Sequence, residues 1–274
     1  MDLREVAGKI RRDEFGRPSG VFALNKQKGE TSHDLVDKVR RQLGTRKVGH
    51  AGALDTFATG LVVILVGKDT KLANKLIDLD KVYKARLLLG VSTDTQDPEG
   101  TVTAAGAVEA LKKKDLEKIA AVLESFKGKQ QQLVSVYSSV KVGGKKLRVL
   151  MRDQRYKPET ITEGDAKTLV FKALNGGVKD FEVKVPRKEI EIYDIKLVGN
   201  GTVSELELNV DTQELPETLP YLDIEVHSSK GTYIRQLAED IGGKLGHPAM
   251  LIELERLKVD DLTLEDALVI SDLT

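Results

Sequence analysis

The sequence predicts an α+β domain built on an antiparallel or mixed sheet, and three observations carry that prediction. Segments with the two-residue alternation of strands outnumber segments with helical spacing. The strands mostly succeed one another without regular strand–helix alternation, which argues against a doubly wound parallel fold. One run, Leu61–Val66, is apolar throughout and rich in β-branched residues, the pattern of a strand buried on both faces. With 274 residues, 40% hydrophobic and 31% charged, the composition is that of a soluble globular protein of one large or two small domains.

Composition narrows the chemistry. No run approaches a membrane span, and the N-terminus, Met1-Asp-Leu-Arg-Glu5, lacks the apolar centre of a signal peptide, so no membrane partner is expected. Cysteine is absent, which excludes disulfides and thiolate metal sites and fits a cytoplasmic location. The four histidines, His33, His50, His227 and His247, show no i, i+4 spacing, so no metal site is expected. The zero net charge hides a segregation: residues 1–50 carry 12 Lys and Arg against 7 Asp and Glu, residues 126–158 carry 9 against 1, and residues 190–274 carry 6 against 18. Two basic regions can therefore face a phosphate backbone while the acidic part turns away.

Along the chain, residues 1–19 show no sustained apolar period and read as a basic, mobile extension without an assigned role. The ordered domain is expected from Gly20, with a short strand and an N-cap at Thr31 or Ser32. A helix then carries Leu35, Val36, Val39 and Leu43 and stops at Gly44. Between Lys47 and Gly60, three glycines, Gly49, Gly52 and Gly60, frame His50 and Asp55 in a loop at the entrance of the buried strand. On these residues alone Asp55 reads equally as a turn or N-cap residue, and His50 as a surface side chain. Lys71 opens a short helix. Tyr83, Ala85, Leu87 and Leu89 alternate on the inner face of a strand at 81–90, where a tyrosine is ordinarily core. An amphipathic helix is expected at Asp115–Phe126. Asn175-Gly-Gly177 between two alternating runs gives a β-hairpin at about 159–185. Strands follow at Ile190–Leu197, Glu205–Val210 and Leu222–His227. A helix buries Ile234, Leu237, Ala238, Ile241 and Leu245 and sets Arg235 in its first turn, where a cation is disfavoured unless an anion faces it. Asp55 is the expected anion.

Gly49-His-Ala-Gly-Ala-Leu-Asp-Thr-Phe-Ala-Thr-Gly60 resembles the signature of the TruB family of tRNA pseudouridine synthases, with Ala53 and Thr56 where that family usually has Thr and often Pro. Six further segments resemble the family from about residue 20 onward. They include the opening around Lys26, with Asn25 and Gln27 departing from the pattern, and Gly67-Lys-Asp-Thr-Lys71. Leu89–Gly100 after Tyr83 and Phe126–Lys141 also match, the latter with Val134 and Ser135 in place of two prolines, a loss expected to loosen the segment. Ser228–Gly242 follows almost residue for residue, and then Leu251–Leu257, with Glu255 where Arg is common.

The resemblance implies a pseudouridine synthase core with an active-site cleft across its sheet, spanning residues 20–274. It implies a basic RNA-binding insertion at about 126–158; the hairpin at about 159–185 does not fit the family spacing and reads as an insertion without an assigned role, and no C-terminal PUA-like domain is expected. It implies isomerisation of uridine 55 in the tRNA TψC arm without a cofactor. Asp55 is the catalytic carboxylate, Arg235 its partner and Tyr83 the stacking ring. His50 fills the space of the flipped base, while Tyr233, Lys26 and Lys71 bind substrate. Lys141, Lys145, Lys146, Arg148 and Arg152 grip tRNA, and the enzyme acts as a monomer. Two other readings stand beside it: an RNA-binding or tRNA-folding protein with weak or lost isomerase activity, and a hydrolase using His50 and Asp55, which lacks a Ser or Cys nucleophile motif.

Overall fold

The computed structural model describes Leu3 and residues 7–164, 166–204 and 216–273. Strand β1 (Arg11–Arg12) turns into β2 (Pro18–Lys26), with Arg11 opposite Ser19 and Arg12 opposite Pro18. The described part of the N-terminal extension is thus fastened to the domain: the Gly8 amide donates to Val21 O at 3.0 Å, and the Leu3 side chain is fully buried. The alternating apolar residues that would have announced this are absent, because backbone pairing needs no side-chain pattern.

Helix α1 (Ser32–Leu43) begins in a capping box, in which the Asp34 amide donates to Thr31 Oγ1 and the Thr31 amide to Asp34 Oδ2. It ends at Gly44 with φ +61°. Strands β3 (Val48–Ala51) and β4 (Thr59–Val66) are antiparallel neighbours. His50 therefore stands on a strand, and the loop proper is residues 52–58. A 3₁₀ turn, Gly67–Leu72, leads to α2 (Ala73–Ile77) and then β5 (Lys81–Leu89). A small hairpin, β6 (Val91–Thr93) with β7 (Val102–Ala105), precedes α3 (Lys113–Glu124) and β8 (Gly128–Leu133).

A second short hairpin, β9 (Lys141–Val142) with β10 (Lys145–Lys146), runs into α4 (Leu147–Met151). The hairpin read around Asn175–Gly177 is β12 (Ala166–Ala173) with β13 (Phe181–Lys184). β11 (Tyr156–Glu163) adds a third antiparallel strand that sequence periodicity does not show. The main sheet is completed by β14 (Arg187–Val203), β15 (Leu219–Ser228), helix α5 (Ile234–Leu245) and β16 (Ala249–Val259), with β17 (Leu262–Thr263) and β18 (Ala267–Leu268) at its margin. The strand read at Glu205–Val210 lies outside the described residues.

The sheet order is β1-β2-β4-β16-β5-β15-β14-β8, antiparallel except where β16 meets β4 and β18 meets β2 in parallel. β4 is buried on both faces: Val62, Ile64 and Val66 join Phe22, Leu24 and the helices in one core, while Leu61, Val63 and Leu65 join Val21, Ala23 and Leu76 in another. Each such side chain contributes roughly 1.5–3 kcal/mol of burial, so the strand that starts after the Asp55 loop is a rigid part of the molecule. The segment after β8 has a small core of its own, Val134, Leu147, Leu150, Leu169, Phe171, Val183 and Val185. Val134, expected to loosen the chain in place of proline, is 1% exposed there, and its amide donates to Pro186 O at 3.0 Å. Tyr156 meets Phe171 and Phe181 edge-on at 6.1 and 5.0 Å, and the two phenylalanines stack at 4.6 Å. No described helix is long and apolar enough to cross a membrane.

Candidate functional site

The loop carrying Asp55 is held from beneath by two buried cations. Arg256, 1% exposed, enters from β16 and donates from Nε to Leu61 O at 2.6 Å and from Nη2 to Gly52 O at 3.0 Å. Gly60 lies directly against the Arg256 backbone: it sits at φ +104°, and a Cβ there would fall 2.4 Å from Arg256 O. Lys26, fully buried, donates to Gln27 O (3.0 Å), Thr56 O (3.2 Å) and Ala58 O (2.5 Å). Three carbonyls satisfy all three ammonium protons, while burial lowers the lysine pKa against the opposing pull of Glu30 and Asp55. Before Asp55, the Leu54 amide donates to Ser32 Oγ at 2.9 Å. Backbone on both sides of Asp55 is thereby fixed, and the carboxylate, 41% exposed, is presented to a cleft.

Arg235, at the start of α5, meets that carboxylate through Nε to Oδ2 at 2.9 Å and Nη2 to Oδ1 at 3.4 Å. Its remaining terminal nitrogen, Nη1, donates to Thr95 O at 2.7 Å and Asp97 Oδ2 at 3.1 Å. Asp97 is 5% exposed in its side chain. Burial raises its pKa, with Arg235 and the Thr95 hydroxyl, 2.6 Å from Oδ1, pulling the other way. The guanidinium is thus locked between a buried carboxylate and a half-open one, so its planar fork fixes the direction of Asp55. Tyr233, one position before α5, has no side-chain cap partner. The side-chain amide of Gln132 grips its backbone instead, donating to Tyr233 O at 3.0 Å and accepting from Tyr233 N at 2.8 Å.

The cleft holds about 750 Å³ and is lined by His50, Asp55, Tyr83, Asp97, Tyr137, Tyr233 and Arg235, and by Lys146, Arg148 and Arg152. Tyr83 rises from β5, whose register with β15 and β16 places it opposite Val226 and Arg256. Burial, together with the neighbouring Arg256 charge, depresses the His50 pKa, and its Nδ1 is enclosed without a partner, so the imidazole is neutral at pH 7. Tyr137 donates its hydroxyl to Asp94 Oδ2 at 2.6 Å, and burial with that bond raises its pKa. Among the described residues, no group of three or more His, Asp or Glu side chains is arranged to hold a metal ion.

The expected site residues divide accordingly. Asp55, Arg235, Tyr83, His50 and Tyr233 meet in one cleft, and Lys146, Arg148 and Arg152 line it as well. Lys26 is a clamp beneath the loop rather than a cleft residue, since its ammonium is sealed from solvent. Lys71 is exposed in the 3₁₀ turn beyond β4 and does not line the cleft, and Lys141 and Lys145 lie in the β9–β10 hairpin outside it. Asp97, Arg256 and Gln132 were not singled out as site residues by sequence reasoning. Asp97 had a signal, lying among hydroxyls and a carboxylate in Thr93-Asp-Thr-Gln-Asp97; the other two act through backbone atoms of distant segments.

Comparison with known proteins places the chain in a family. The family described as TruB family pseudouridylate synthase (N terminal domain) matches residues 40–172. The tRNA pseudouridine synthase B of Desulfotalea psychrophila is 38% identical over 93% of this chain and 87% of its own length. The chain belongs to the TruB family of pseudouridine synthases. The protein of the same name from Bacillus subtilis is 37% identical over 93% of this chain and 70% of its own. The fold is shared with a solved Cbf5-Nop10-Gar1 complex, at a TM-score of 0.53 and 21% identity, covering 92% of this chain and 56% of that one. Within this TruB-family domain, two of the signature glycines face Arg256: a Cβ at Gly60 would meet its backbone and one at Gly52 would lie 3.6 Å from its Nη1, whereas Gly49 has nothing within 4 Å.

Proposed function

We propose that this TruB-family enzyme isomerises uridine 55 in the TψC arm of tRNA. The observation that carries the reading is the contact of Asp55 with Arg235 in a cleft that Lys146, Arg148 and Arg152 also line. Isomerisation breaks the N1–C1′ bond and forms a C5–C1′ bond; C5 loses a proton and N1 gains one, directly or by exchange with solvent, so composition is unchanged. Such a reaction asks for one aimed carboxylate and a pocket that holds the detached base while it turns. Asp55 is that carboxylate, its backbone fixed by Ser32 and Lys26 and its direction by Arg235. Asp97 positions Arg235. The Tyr83 ring offers a face to stack the uracil, and Tyr233 closes the pocket. A base inside a folded arm must leave its stack at a cost of roughly a few kcal/mol, and neutral His50 beside Asp55 suits the vacated space. Lys146, Arg148 and Arg152 neutralise the phosphates around the flipped nucleotide.

A tRNA transcript incubated with the protein is expected to gain pseudouridine at position 55, read by carbodiimide labelling and primer extension. Tight binding of the transcript with no labelled product would favour the RNA-binding alternative instead.

A further inference from the structure

A second cationic surface lies at the end of the sheet opposite the cleft. The register brings three separate segments together there: Pro18–Gly20 at the start of β2, the turn before Val48, and Gly67 after β4, with Gly20 and Val48 both opposite Val66. Their backbones touch. Gly67 N donates to Lys47 O at 2.8 Å, and Lys9 O and Pro18 O pack against Gly20 and Gly67. Asp55 precedes the other end of β4, and the stretch from Gly60 to Val66 spans about 20 Å. Helix α1 runs between the two ends, with His33 in the cleft and Arg40 donating from Nη2 to Val48 O at 3.2 Å.

The charges at this end are unmatched. Asp13 is held by Arg17 and Asp69 by Arg11. Among the described residues, Lys9, Arg12, Arg46, Lys47, Lys68 and Lys71 form no ion pair, against one unpaired acid, Glu14. All seven side chains are exposed. A 71%-exposed Phe15 stands at the hairpin tip with the Arg17 guanidinium 4.8 Å from its ring centre. Unpaired cations spread over a rigid surface beside an exposed aromatic ring suit a polyphosphate backbone with an unstacked base better than a folded acidic protein. Hence we infer that this end is a second RNA-contact surface, which holds the phosphate backbone of the same tRNA about 20 Å from the nucleotide at Asp55. The inference rests on the tRNA reading above and gives the N-terminal hairpin and Lys71 a common purpose.

The test is the salt dependence of binding to a full-length unmodified tRNA transcript. Replacing Arg46, Lys47, Lys68 and Lys71 with Gln is expected to reduce the log–log slope by roughly 0.7–0.9 for each phosphate no longer neutralised, and to weaken binding at least tenfold near 0.1 M salt. The single-turnover rate at saturating protein is expected to stay as in wild type. Glu14→Lys, which adds a cation to the same face, is expected to steepen the slope. Unchanged slopes in both variants, with a wild-type protein that binds and converts tRNA, overturn this surface alone. A wild-type protein that binds no tRNA overturns the functional reading with it.

Discussion

The loop that bears Asp55 and the arm that bears Lys146, Arg148 and Arg152 line one cleft but are built differently. The loop has no core of its own: two buried cations, Lys26 and Arg256, hold its carbonyls against a sheet packed on both faces. The arm leans on a small satellite core and an aromatic cluster, with Arg148 and Arg152 exposed and Lys146 half-buried. The difference suits the tasks proposed for them. Chemistry on one bond requires a carboxylate fixed to fractions of an ångström, whereas phosphate neutralisation depends on the number and sign of charges more than on their exact place.

The largest effect is expected at the centre of the rigid side. Asp55→Asn should lower pseudouridine formation by a factor of about 10³ or more, the scale of losing a nucleophile or base, with tRNA affinity within threefold of wild type. Labelling of product in single-turnover reactions and a filter-binding titration check both halves; residual activity within tenfold would remove Asp55 from the chemistry.

Arg235→Met separates positioning from stability. It should cost turnover heavily at nearly unchanged tRNA affinity, and it should also destabilise the fold by roughly 3–5 kcal/mol, because Asp97 remains buried without its partner. The double variant Arg235→Met with Asp97→Leu should recover much of the urea midpoint but none of the activity. Recovery of activity as well would show that Arg235 serves the fold alone.

Arg256→Met asks whether the loop needs its clamp. Leu61 O and Gly52 O lose their donor, at roughly 1–3 kcal/mol for each group left buried and unmet, and the single-turnover rate should fall while tRNA affinity holds. An unaltered rate in folded protein would mean that the glycine-framed loop keeps its shape unaided.

On the solvent side, Lys146, Arg148 and Arg152 changed together to Gln should reduce the tRNA salt slope by roughly 0.7–0.9 per phosphate released, leaving the rate at saturation intact. A lower rate at saturation would assign the arm a part in the chemistry and blur the contrast.

The smallest effect concerns pH. His50 has a folded pKa below the ordinary 6.5, so between the two values the unfolded chain binds more protons. Its contribution to stability is complete above about 6.5 and is lost as pH falls through the depressed value. Urea midpoints of wild type and His50→Gln should therefore converge on acidification from pH 7 to pH 5; parallel curves would show that His50 is solvated.

Side-chain patterns made much of this legible in advance. The apolar run Leu61–Val66, the capped helix from Thr31 to Gly44 and the buried stripe of α5 are local signals, because burial and capping act over a few residues. The meeting of Asp55 with Arg235 was expected too: a cation placed where a helix dipole repels it calls for an anion, and the TruB resemblance points to Asp55. Other features depend on which distant backbones become neighbours. Lys26 and Arg256 read as ordinary cations until β2, β4 and β16 align and surround them with carbonyls, and only then does burial turn them into clamps. Asp97 could be seen among its neighbours, but its grip on Arg235 could not, since the two are far apart in the chain. The N-terminal hairpin reads as a free extension because its attachment is made by backbone hydrogen bonds, which leave no trace in side-chain periodicity. Sequence by itself, read through its resemblance to the TruB family, determined the kind of chemistry and the candidate side chains, since their identities and spacing are its own. Tertiary structure decided what holds them still, because carbonyl acceptors and strand neighbours exist only once the sheet has formed.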